Sequence, residues 1–530
     1  MASVVLISPR DADPPLEVTS HKVRMPRYGA LSVASTLAAR GHDVQVFDEY
    51  VGARIDWGAV HRADYVCFSV LSFSALRAYD LADRARRAGR TVILGGCHAS
   101  MVPEDALTHA DYVVRNEGEA VLLDLLEALQ SGREVSRVAG LSFRASGRVV
   151  HNPDRPFDAD LSVPLNLDLV PEYRPWGPVA FARDVVQHGI PRFALPVVQA
   201  SRGCPFGCRF CFVKHELGTR YRTRPIEVVL EEVAAYRRRF RHPYLFFVDN
   251  DLTLDSAYSQ ELFGRLLDRF GPGLRPFLFS RVEASRDAAL LGLLQRFDRT
   301  TLGVGIESIH DDGLRELNKG QTERKVRAAL ARFRRYDIHL QGLFIFGSEQ
   351  DDLDTIRRTV GFAVDQQLYN VGMCALYDFP GREAVLGQAQ IIPDHLFIHR
   401  DWRLFSGNFV VHFPKRMRPS QLQQAMLDAY EEFYRRSPRA FYQFMPHRPT
   451  VRHYLDYLRR VEEPYYDGQR RLDQRLADRK VGSLSPRLEL PPVSGVTRAL
   501  EAGRFLARNL GRGVSWELLR GLVLPRGGPP

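Results

Sequence analysis

The stretch SRGCPFGCRFCFV, residues 201–213, places three cysteines within eight positions of a 530-residue chain that contains only six. Cys204, Cys208 and Cys211 form a C-x3-C-x2-C pattern directly after the β-rich run PVVQAS, residues 196–201. The pattern is therefore expected on a loop at the end of a strand. Three thiols so close together in sequence indicate a metal site.

Two kinds of metal site are compatible with this loop. Zinc takes four ligands, which His215 could complete, whereas an iron–sulfur cluster is held by cysteine thiolates. A cubane cluster held by only three thiolates leaves one iron open to another ligand. A separate zinc module would not be expected between the first strand and helix of an alternating β/α domain, so the position of the loop favours the cluster.

The residues around this loop alternate between strand-like and helix-like patterns. Six strand–helix repeats between Leu195 and about residue 390 predict a partial or full β/α barrel. In such barrels the chemistry gathers at the C-terminal ends of the strands. The predicted strands are PVVQAS (196–201), YLFFVDN (244–250), RPFLFSRVE (275–283), TLGVGIES (301–308), IHLQGLFIFG (338–347) and NVGMCALYDFP (370–380).

The first part of the chain shows the same alternation in a separate block. Strands alternating with helices predict βαβ units and a doubly wound, Rossmann-like parallel sheet, whose ligands sit beyond the carboxyl ends of the strands. The loops after Val70, Leu94 and Val114 are therefore expected to carry the ligand site. The strand-like runs are SVVLIS (3–8), DVQVFD (43–48), DYVCFSV (64–70), TVILGG (91–96) and DYVVRNEGE (111–119).

These patterns divide the chain into four parts. Residues 1–140 form the first α/β domain, and residues 141–194 hold a hairpin and a proline-rich linker. Residues 195–390 form the barrel. Residues 391–530 are expected to form a mostly helical C-terminal extension.

The cysteine loop resembles the signature of the radical S-adenosylmethionine (SAM) superfamily, C-x3-C-x-aromatic-C, in which the aromatic residue is here Phe210. The resemblance implies a 4Fe-4S cluster held by the three cysteines, with SAM chelating the open iron and yielding a 5′-deoxyadenosyl radical. FSRVEA, GVGIES and LNKGQT look like later segments that help hold SAM in this family. The candidates for its carboxylate or ribose are Arg281 and Glu307.

The first domain resembles the cobalamin-binding domain that precedes many radical SAM barrels. The similarity lies in GGCHASMVPEDAL (95–107) and in NEGE (116–119). The chain lacks the D-x-H-x-x-G triplet that supplies a lower axial histidine in cobalamin-dependent mutases. The resemblance places these loop residues near the corrin or its tail: Ser69, Ser72, Gly95, Gly96, His98, Gly118 and Glu119.

The stretch DWRLFSGNFVVHFPKRMRPSQLQ (401–423) looks like the C-terminal extension of the subgroup that contains hopanoid methylases and the anaerobic porphyrin-ring cyclase. This resemblance implies methylation of an unactivated carbon in a small-molecule, lipid or pigment substrate, with a low-potential electron donor such as flavodoxin or ferredoxin. Radical oxidation, cyclisation or rearrangement without methyl transfer stays open. The segment DFPGREAVLG (378–387) departs from the Leu-Pro-Gly-Thr-Pro run of the subgroup, so the substrate is expected to differ.

Composition and charge add further expectations. No apolar run is long enough to span a membrane, and the few cysteines suit a reducing compartment, so a cytoplasmic protein is expected. The net charge of +10 comes from arginines spread along helix-like stretches, which argues against a nucleic-acid partner. The segment TRALEAGRFLARNLGRG (497–513) could rest on a membrane surface or pack on the barrel. Packing in apolar strands is expected for Cys67, Cys97 and Cys374.

Overall fold

The computed structural model describes residues 1–10, 23–157, 159–174, 193–240, 243–379, 390–399, 401–437 and 448–467. The segment 497–513, for which membrane contact was considered, lies outside these residues. So does most of the stretch 378–387 that departs from the subgroup pattern.

The strands and helices alternate through most of the described chain. The strands are β1 (Ser3–Ser8), β2 (Val23–Arg24), β3 (Asp43–Asp48), β4 (Tyr65–Ser69), β5 (Thr91–Gly95), β6 (Tyr112–Val114), β7 (Leu141–Ala145), β8 (Arg148–His151), β9 (Phe193–Ala194), β10 (Val197–Val198), β11 (Ser201–Arg202), β12 (Arg222–Thr223), β13 (Tyr244–Phe247), β14 (Arg275–Arg281), β15 (Thr301–Glu307), β16 (His339–Phe346) and β17 (Asn370–Ala375). The helices are α1 (Tyr28–Ala39), α2 (Trp57–Arg62), α3 (Ala75–Arg87), α4 (Cys97–Met101), α5 (Pro103–Ala106), α6 (Gly118–Ser131), α7 (Val213–Glu216), α8 (Ile226–Phe240), α9 (Ser256–Phe270), α10 (Ala288–Leu294), α11 (Asp311–Glu316), α12 (Glu323–Phe333), α13 (Leu353–Asp365), α14 (Pro419–Arg436) and α15 (Arg448–Asp467).

The first sheet has the order β3-β1-β4-β5-β6-β7-β8, and its first five strands are parallel. The strand order reverses between β1 and β4, which opens a crevice at the carboxyl ends of these strands. The sheet confirms the predicted doubly wound fold. The hairpin that the sequence assigned to the linker region, β7 and β8, instead extends this sheet, because β7 pairs antiparallel with β6.

The second sheet contains six parallel strands in the order β10-β13-β14-β15-β16-β17. In the described residues β17 does not pair with β10, so the barrel is partial rather than closed. Amphipathic helices cover its outside, as α12 illustrates with Val326, Ala329, Leu330 and Phe333 buried at helical spacing. This arrangement puts the loops after β10, β14 and β15 at one end of the barrel.

The C-terminal extension covers the open edge of the barrel. Helix α14 packs against α13 and α15. The Tyr430 hydroxyl accepts a hydrogen bond from the Met373 amide at 2.7 Å and donates one to the Met373 carbonyl at 3.0 Å. Both partners lie on the edge strand β17, so the helix satisfies backbone groups that would otherwise be exposed for pairing. In the described residues no helix is both long and apolar enough to cross a membrane.

The buried Arg224 connects a helix of each domain with the linker. The Arg224 guanidinium donates to both carboxylate oxygens of Glu232 at 2.6 and 2.8 Å and to the Tyr28 hydroxyl of α1 at 2.8 Å. It also donates to the carbonyls of Leu161 and Val163 in the linker. The side chains of this ion pair are only 3% and 2% exposed, so each charge depends on the other.

We predict that Glu232→Ala lowers the free energy of unfolding by about 3–5 kcal/mol, because it leaves the Arg224 charge buried without its partner. Glu231→Ala is the matched control on the same helix, since Glu231 pairs with Arg269 at the surface. Its cost should be about 0–1 kcal/mol. Denaturant unfolding of the two variants measures the difference. Equal losses would contradict this role for Arg224.

Candidate functional site

The cysteine loop begins with a glycine that no other residue can replace. Gly203 has φ of 88°, and a Cβ at this position would overlap the Arg220 carbonyl oxygen. Further along the loop, the Asn318 side-chain amide donates to the Gly207 carbonyl at 2.7 Å, and the Arg209 amide donates to the Leu317 carbonyl at 3.0 Å. The middle of the loop is therefore held by hydrogen bonds to residues 317 and 318.

The three cysteines lie on this loop with different degrees of exposure. Cys208 is buried, whereas Cys204 and Cys211 are partly exposed. Burial raises the pKa of the Cys211 thiol to about 11, so a bound cation is needed to hold it as a thiolate at neutral pH. In the described residues no three His, Cys, Asp or Glu side chains converge tightly enough to hold a single metal ion. The three thiols fit an iron–sulfur cluster, because each thiolate can bind a different iron of the cluster.

Two cations border the cysteines. The Arg281 guanidinium, at the end of β14, lies 3.7 Å from Cys208 Sγ and 3.8 Å above the centre of the Phe206 ring. It also donates to the Lys319 carbonyl at 2.6 Å. The Lys319 ammonium donates to Glu307 Oε1 at 2.8 Å and lies 5.9 Å from the centre of the Phe210 ring.

Glu307 is held in an unusual backbone conformation. It ends β15 at a bulge and has φ of 65°, in the left-handed region that favours glycine. A Cβ at Gly305 would lie 2.7 Å from the Glu307 carboxylate and 2.8 Å from the Lys319 ammonium. Lys319 connects Arg281, Glu307 and Phe210, whose roles in cofactor binding stay predictions. Lys319 itself belongs to the quoted LNKGQT segment but was not singled out.

A buried carboxylate anchors the start of the cysteine loop. Asp249, two residues after β13, accepts a hydrogen bond from the Ala200 amide at 3.0 Å and one from the Ser201 hydroxyl at 2.5 Å. Its side chain is 1% exposed. Burial raises the pKa of this carboxyl to about 6.

A cavity of about 290 Å³ lies at the carboxyl ends of the first sheet. Gln199, Arg202 and Glu216 of the barrel domain line its other side, so both domains contribute to it. Five of the seven predicted corrin residues line this cavity: Ser69, Gly95, Gly96, Gly118 and Glu119. Gly96 has φ of 91°, and a Cβ there would lie 2.8 Å from the Val70 carbonyl oxygen.

The structure places the other two predicted residues, Ser72 and His98, outside the cavity lining. His98 is fully buried, and its Nε2 lies 2.9 Å from the Tyr79 hydroxyl while its Nδ1 lies 3.3 Å from Ser72 Oγ. Its ring packs edge-on against Trp402 of the C-terminal extension. Burial lowers the pKa of His98 to about 3, so the ring is neutral and serves packing.

The NEGE segment contacts the barrel as well as the cavity. Glu117 accepts two hydrogen bonds from Arg222 at 2.7 and 3.0 Å. Glu119 accepts one from Arg202 at 2.7 Å and one from the Ser32 hydroxyl at 2.7 Å. These buried pairs fix one domain against the other beside the cavity.

The sequence analysis missed two charged residues that line the cavity. Nε and Nη2 of Arg27 are buried and have no hydrogen-bond partner in the described residues, although the guanidinium lies 3.5 Å above the Tyr50 ring. Burial raises the pKa of Glu216, which follows the cysteine loop by a few residues. Neither Arg27 nor Glu216 belongs to a motif, so little in the sequence distinguishes them as site residues. Cys67 is buried in its strand as expected and, like Cys97, lines the cavity, whereas Cys374 is exposed.

Comparison with known proteins identifies both domains. Residues 198–363 match the family model of the Radical SAM superfamily, and residues 18–126 match that of the B12 binding domain. The chain therefore carries a cobalamin-binding domain followed by a radical SAM domain, which implies cobalamin, SAM and a 4Fe-4S cluster as cofactors.

Relatives extend this similarity along the chain. The chain is 25% identical to a bacteriochlorophyllide d C-12(1)-methyltransferase of Chlorobaculum tepidum, over 82% of this chain and 87% of the relative. It is 29% identical to a hopanoid C-3 methylase of Methylococcus capsulatus, over 58% of each chain. The structure of the radical SAM methyltransferase TsrM from Kitasatospora setae, with cobalamin and a [4Fe-4S] cluster bound, shares the fold at a TM-score of 0.56 and 19% identity, over 72% of this chain and 73% of that one.

We predict that Gly203→Ala prevents cluster assembly, because a Cβ there meets the Arg220 backbone and the left-handed conformation disfavours alanine. Gly207→Ala is the control in the same loop, since its Cβ would meet only the Asn318 amide, at 3.4 Å. Iron and sulfide per chain after anaerobic reconstitution should fall in the first variant and stay unchanged in the second. Full iron content in Gly203→Ala would show that the loop tolerates a side chain.

We predict that Asp249 makes the protein less stable as pH rises from about 4 to 6. Its folded pKa of about 6 exceeds the unfolded value of about 3.9, so the folded state binds the extra proton in this window. The contribution should reach about 2–3 kcal/mol. Denaturant unfolding across this range should show a shallower decline in Asp249→Asn. Identical slopes in both proteins would mean that Asp249 titrates in its ordinary range.

Proposed function

We propose that this chain, which belongs to the cobalamin-binding radical SAM enzymes, methylates an unactivated carbon of a small-molecule, lipid or pigment substrate. The observation that carries the proposal is the cavity shared by the two domains. Its lining includes Glu216, which lies on α7 immediately after the cysteine loop. A methyl carrier in the cavity and a radical source at the cysteines would thus face one substrate space.

The proposed ligands of the cluster are Cys204, Cys208 and Cys211. When bound, the cluster and SAM supply one-electron cleavage of a sulfur–carbon bond, and cobalamin supplies a transferable methyl group. The chain holds its thiols on a loop whose Gly207 carbonyl accepts a hydrogen bond from Asn318 and whose Gly203 lies close to the Arg220 backbone. The buried Arg281 guanidinium lies 3.7 Å from Cys208 Sγ and places a positive charge beside the proposed cluster.

The proposed SAM site lies between the cysteines and β15. Arg281 and Lys319 can pair with a carboxylate, and the Glu307 carboxylate can accept hydrogen bonds from an ammonium or ribose hydroxyl group. Phe210 offers an aromatic surface beside Lys319. All three polar side chains are less than a tenth exposed, so they present a dry, preorganised set of charges.

The proposed corrin site is the cavity between the sheets. Gly95 and Gly96 contribute backbone to the cavity lining, and Ser69 and Arg27 offer hydrogen-bond donors. The unpaired N–H groups of Arg27 suit the polar groups at the rim of such a ligand. We do not propose His98 as a lower axial ligand, because both of its ring nitrogens lie near hydroxyl partners outside the cavity lining.

The relatives support the proposed substrate class. The matched methyltransferases act on a bacteriochlorophyllide pigment and a hopanoid, which supports a pigment, lipid or comparable small molecule here. A low-potential electron donor such as flavodoxin or ferredoxin would supply the electron. A cytoplasmic location would keep the thiols reduced. Peripheral membrane contact through residues 497–513 stays a proposal.

The test uses anaerobically reconstituted protein with cobalamin, a low-potential reductant and methyl-deuterated SAM. Mass spectrometry counts 5′-deoxyadenosine, S-adenosylhomocysteine and label on the corrin. We expect all three products in the unchanged protein. We expect at least a hundredfold less 5′-deoxyadenosine in Cys208→Ala, because the cluster loses a ligand.

Cys374→Ala is the thiol control, because Cys374 lies on β17, outside the cysteine loop. It should keep its iron content. If 5′-deoxyadenosine forms but labelled methyl never reaches the corrin, methyl transfer is refuted and radical oxidation, cyclisation or rearrangement takes its place.

A further inference from the structure

A cluster of exposed cations lies on the barrel beside the proposed cluster site. Arg286 ends a short 3-10 helix, Val282–Arg286, that follows β14. Arg324, Lys325 and Arg332 lie on α12, and all four side chains belong to exposed residues. They line a surface depression of about 230 Å³ between these two helices. We call these four residues the basic patch.

The charge of the basic patch is not neutralised by its neighbours. In the described part of the chain none of its four residues forms an ion pair, unlike the adjacent Arg327, which pairs with Glu323. The one carboxylate in the depression, Glu283, is already engaged. It accepts hydrogen bonds from Arg281 Nε and Gln321 Nε2, both at 3.2 Å. The depression therefore attracts anions.

The basic patch is connected to the cysteine loop by two side chains. Glu283 lines the depression and accepts from Arg281, whose guanidinium lies 3.7 Å from Cys208 Sγ. Arg286 and the start of α12 follow the carboxyl ends of β14 and β15, at the end of the barrel that carries the cysteines. A protein seated on this surface would bring its own redox centre close to the cluster.

We propose that the basic patch is the docking surface for an acidic one-electron donor protein of the flavodoxin class. The inference rests on the proposed function, because it requires a cluster at Cys204, Cys208 and Cys211. In the step it serves, the reduced cofactor of the donor loses one electron and the cluster gains it, and no bond or proton is transferred. Opposite charges would steer the two surfaces together.

The test compares the full-length protein with two triple variants of equal net charge. The patch variant carries Arg324→Glu, Lys325→Glu and Arg332→Glu. The control carries Arg87→Glu, Arg237→Glu and Arg238→Glu, which are exposed positions on α3 and α8. None of these six residues belongs to the proposed catalytic machinery. Two properties are measured: the Kd for an acidic oxidised flavodoxin by calorimetry, and the rate at which reduced flavodoxin or dithionite reduces the cluster.

At low ionic strength we expect the patch variant to bind flavodoxin at least tenfold more weakly and to be reduced by it at least tenfold more slowly. Both differences should shrink as salt is added. The control should retain most of its affinity, and dithionite should reduce all three proteins at one rate. The affinity does not depend on activity, so it reports on the surface alone.

Other results would overturn the inference. Equal flavodoxin affinity in all three proteins would exclude this surface, and an equal loss in the control would show only a dependence on net charge. Loss of binding to RNA or to anionic vesicles, with flavodoxin binding retained, would assign the patch to another partner. If dithionite produces no reduced cluster in the unchanged protein, the proposed function itself fails, whatever the affinity.

Discussion

Buried charge pairing between the two domains is the interaction on which the rest of the site depends. Arg202 and Arg222 of the barrel pair with Glu119 and Glu117 of the first domain, and every one of these side chains is less than a tenth exposed. A buried charge without its partner is costly, so the pairs act together and fix one domain on the other. This contact holds the carboxyl ends of the first sheet against the cysteine-bearing segment of the barrel, and the shared cavity lies between them.

The second constraint is that backbone atoms and charged side chains approach one another closely around the cysteines. Gly203 and Gly305 occupy positions where a side chain would meet a carbonyl or the Glu307 carboxylate. Glu307 adopts a left-handed conformation that the Lys319 ammonium helps to hold. Such strain is retained where the surrounding structure requires it, and here it aims a carboxylate at the space beside the thiols. Rigid positioning of these groups suits a site that must exclude water.

Sequence reasoning worked where chemistry and periodicity are local. The C-x3-C-x2-C loop, the alternation of strands and helices and the glycines at the end of β5 each depend on a few consecutive residues. Local patterns say less where contacts join distant segments. His98 follows two glycines, yet its partners Tyr79, Ser72 and Trp402 come from other segments, which no local pattern indicates. The hairpin β7–β8 is visible in the sequence, but its antiparallel pairing with β6 has no signature in its own residues.

The sequence by itself determined the fold class, the order of the two cofactor domains and the three thiols, because thiolate chemistry and the periods of strands and helices are properties of short stretches. Only the tertiary structure decided which side chains share a cavity, that Lys319 joins Glu307 and Arg281, and that the NEGE carboxylates bind the barrel arginines. Those pairings span tens to a hundred residues of chain. They arise because burying an unpaired charge is costly, so each buried charge pairs with a side chain from a segment that the fold brings near it.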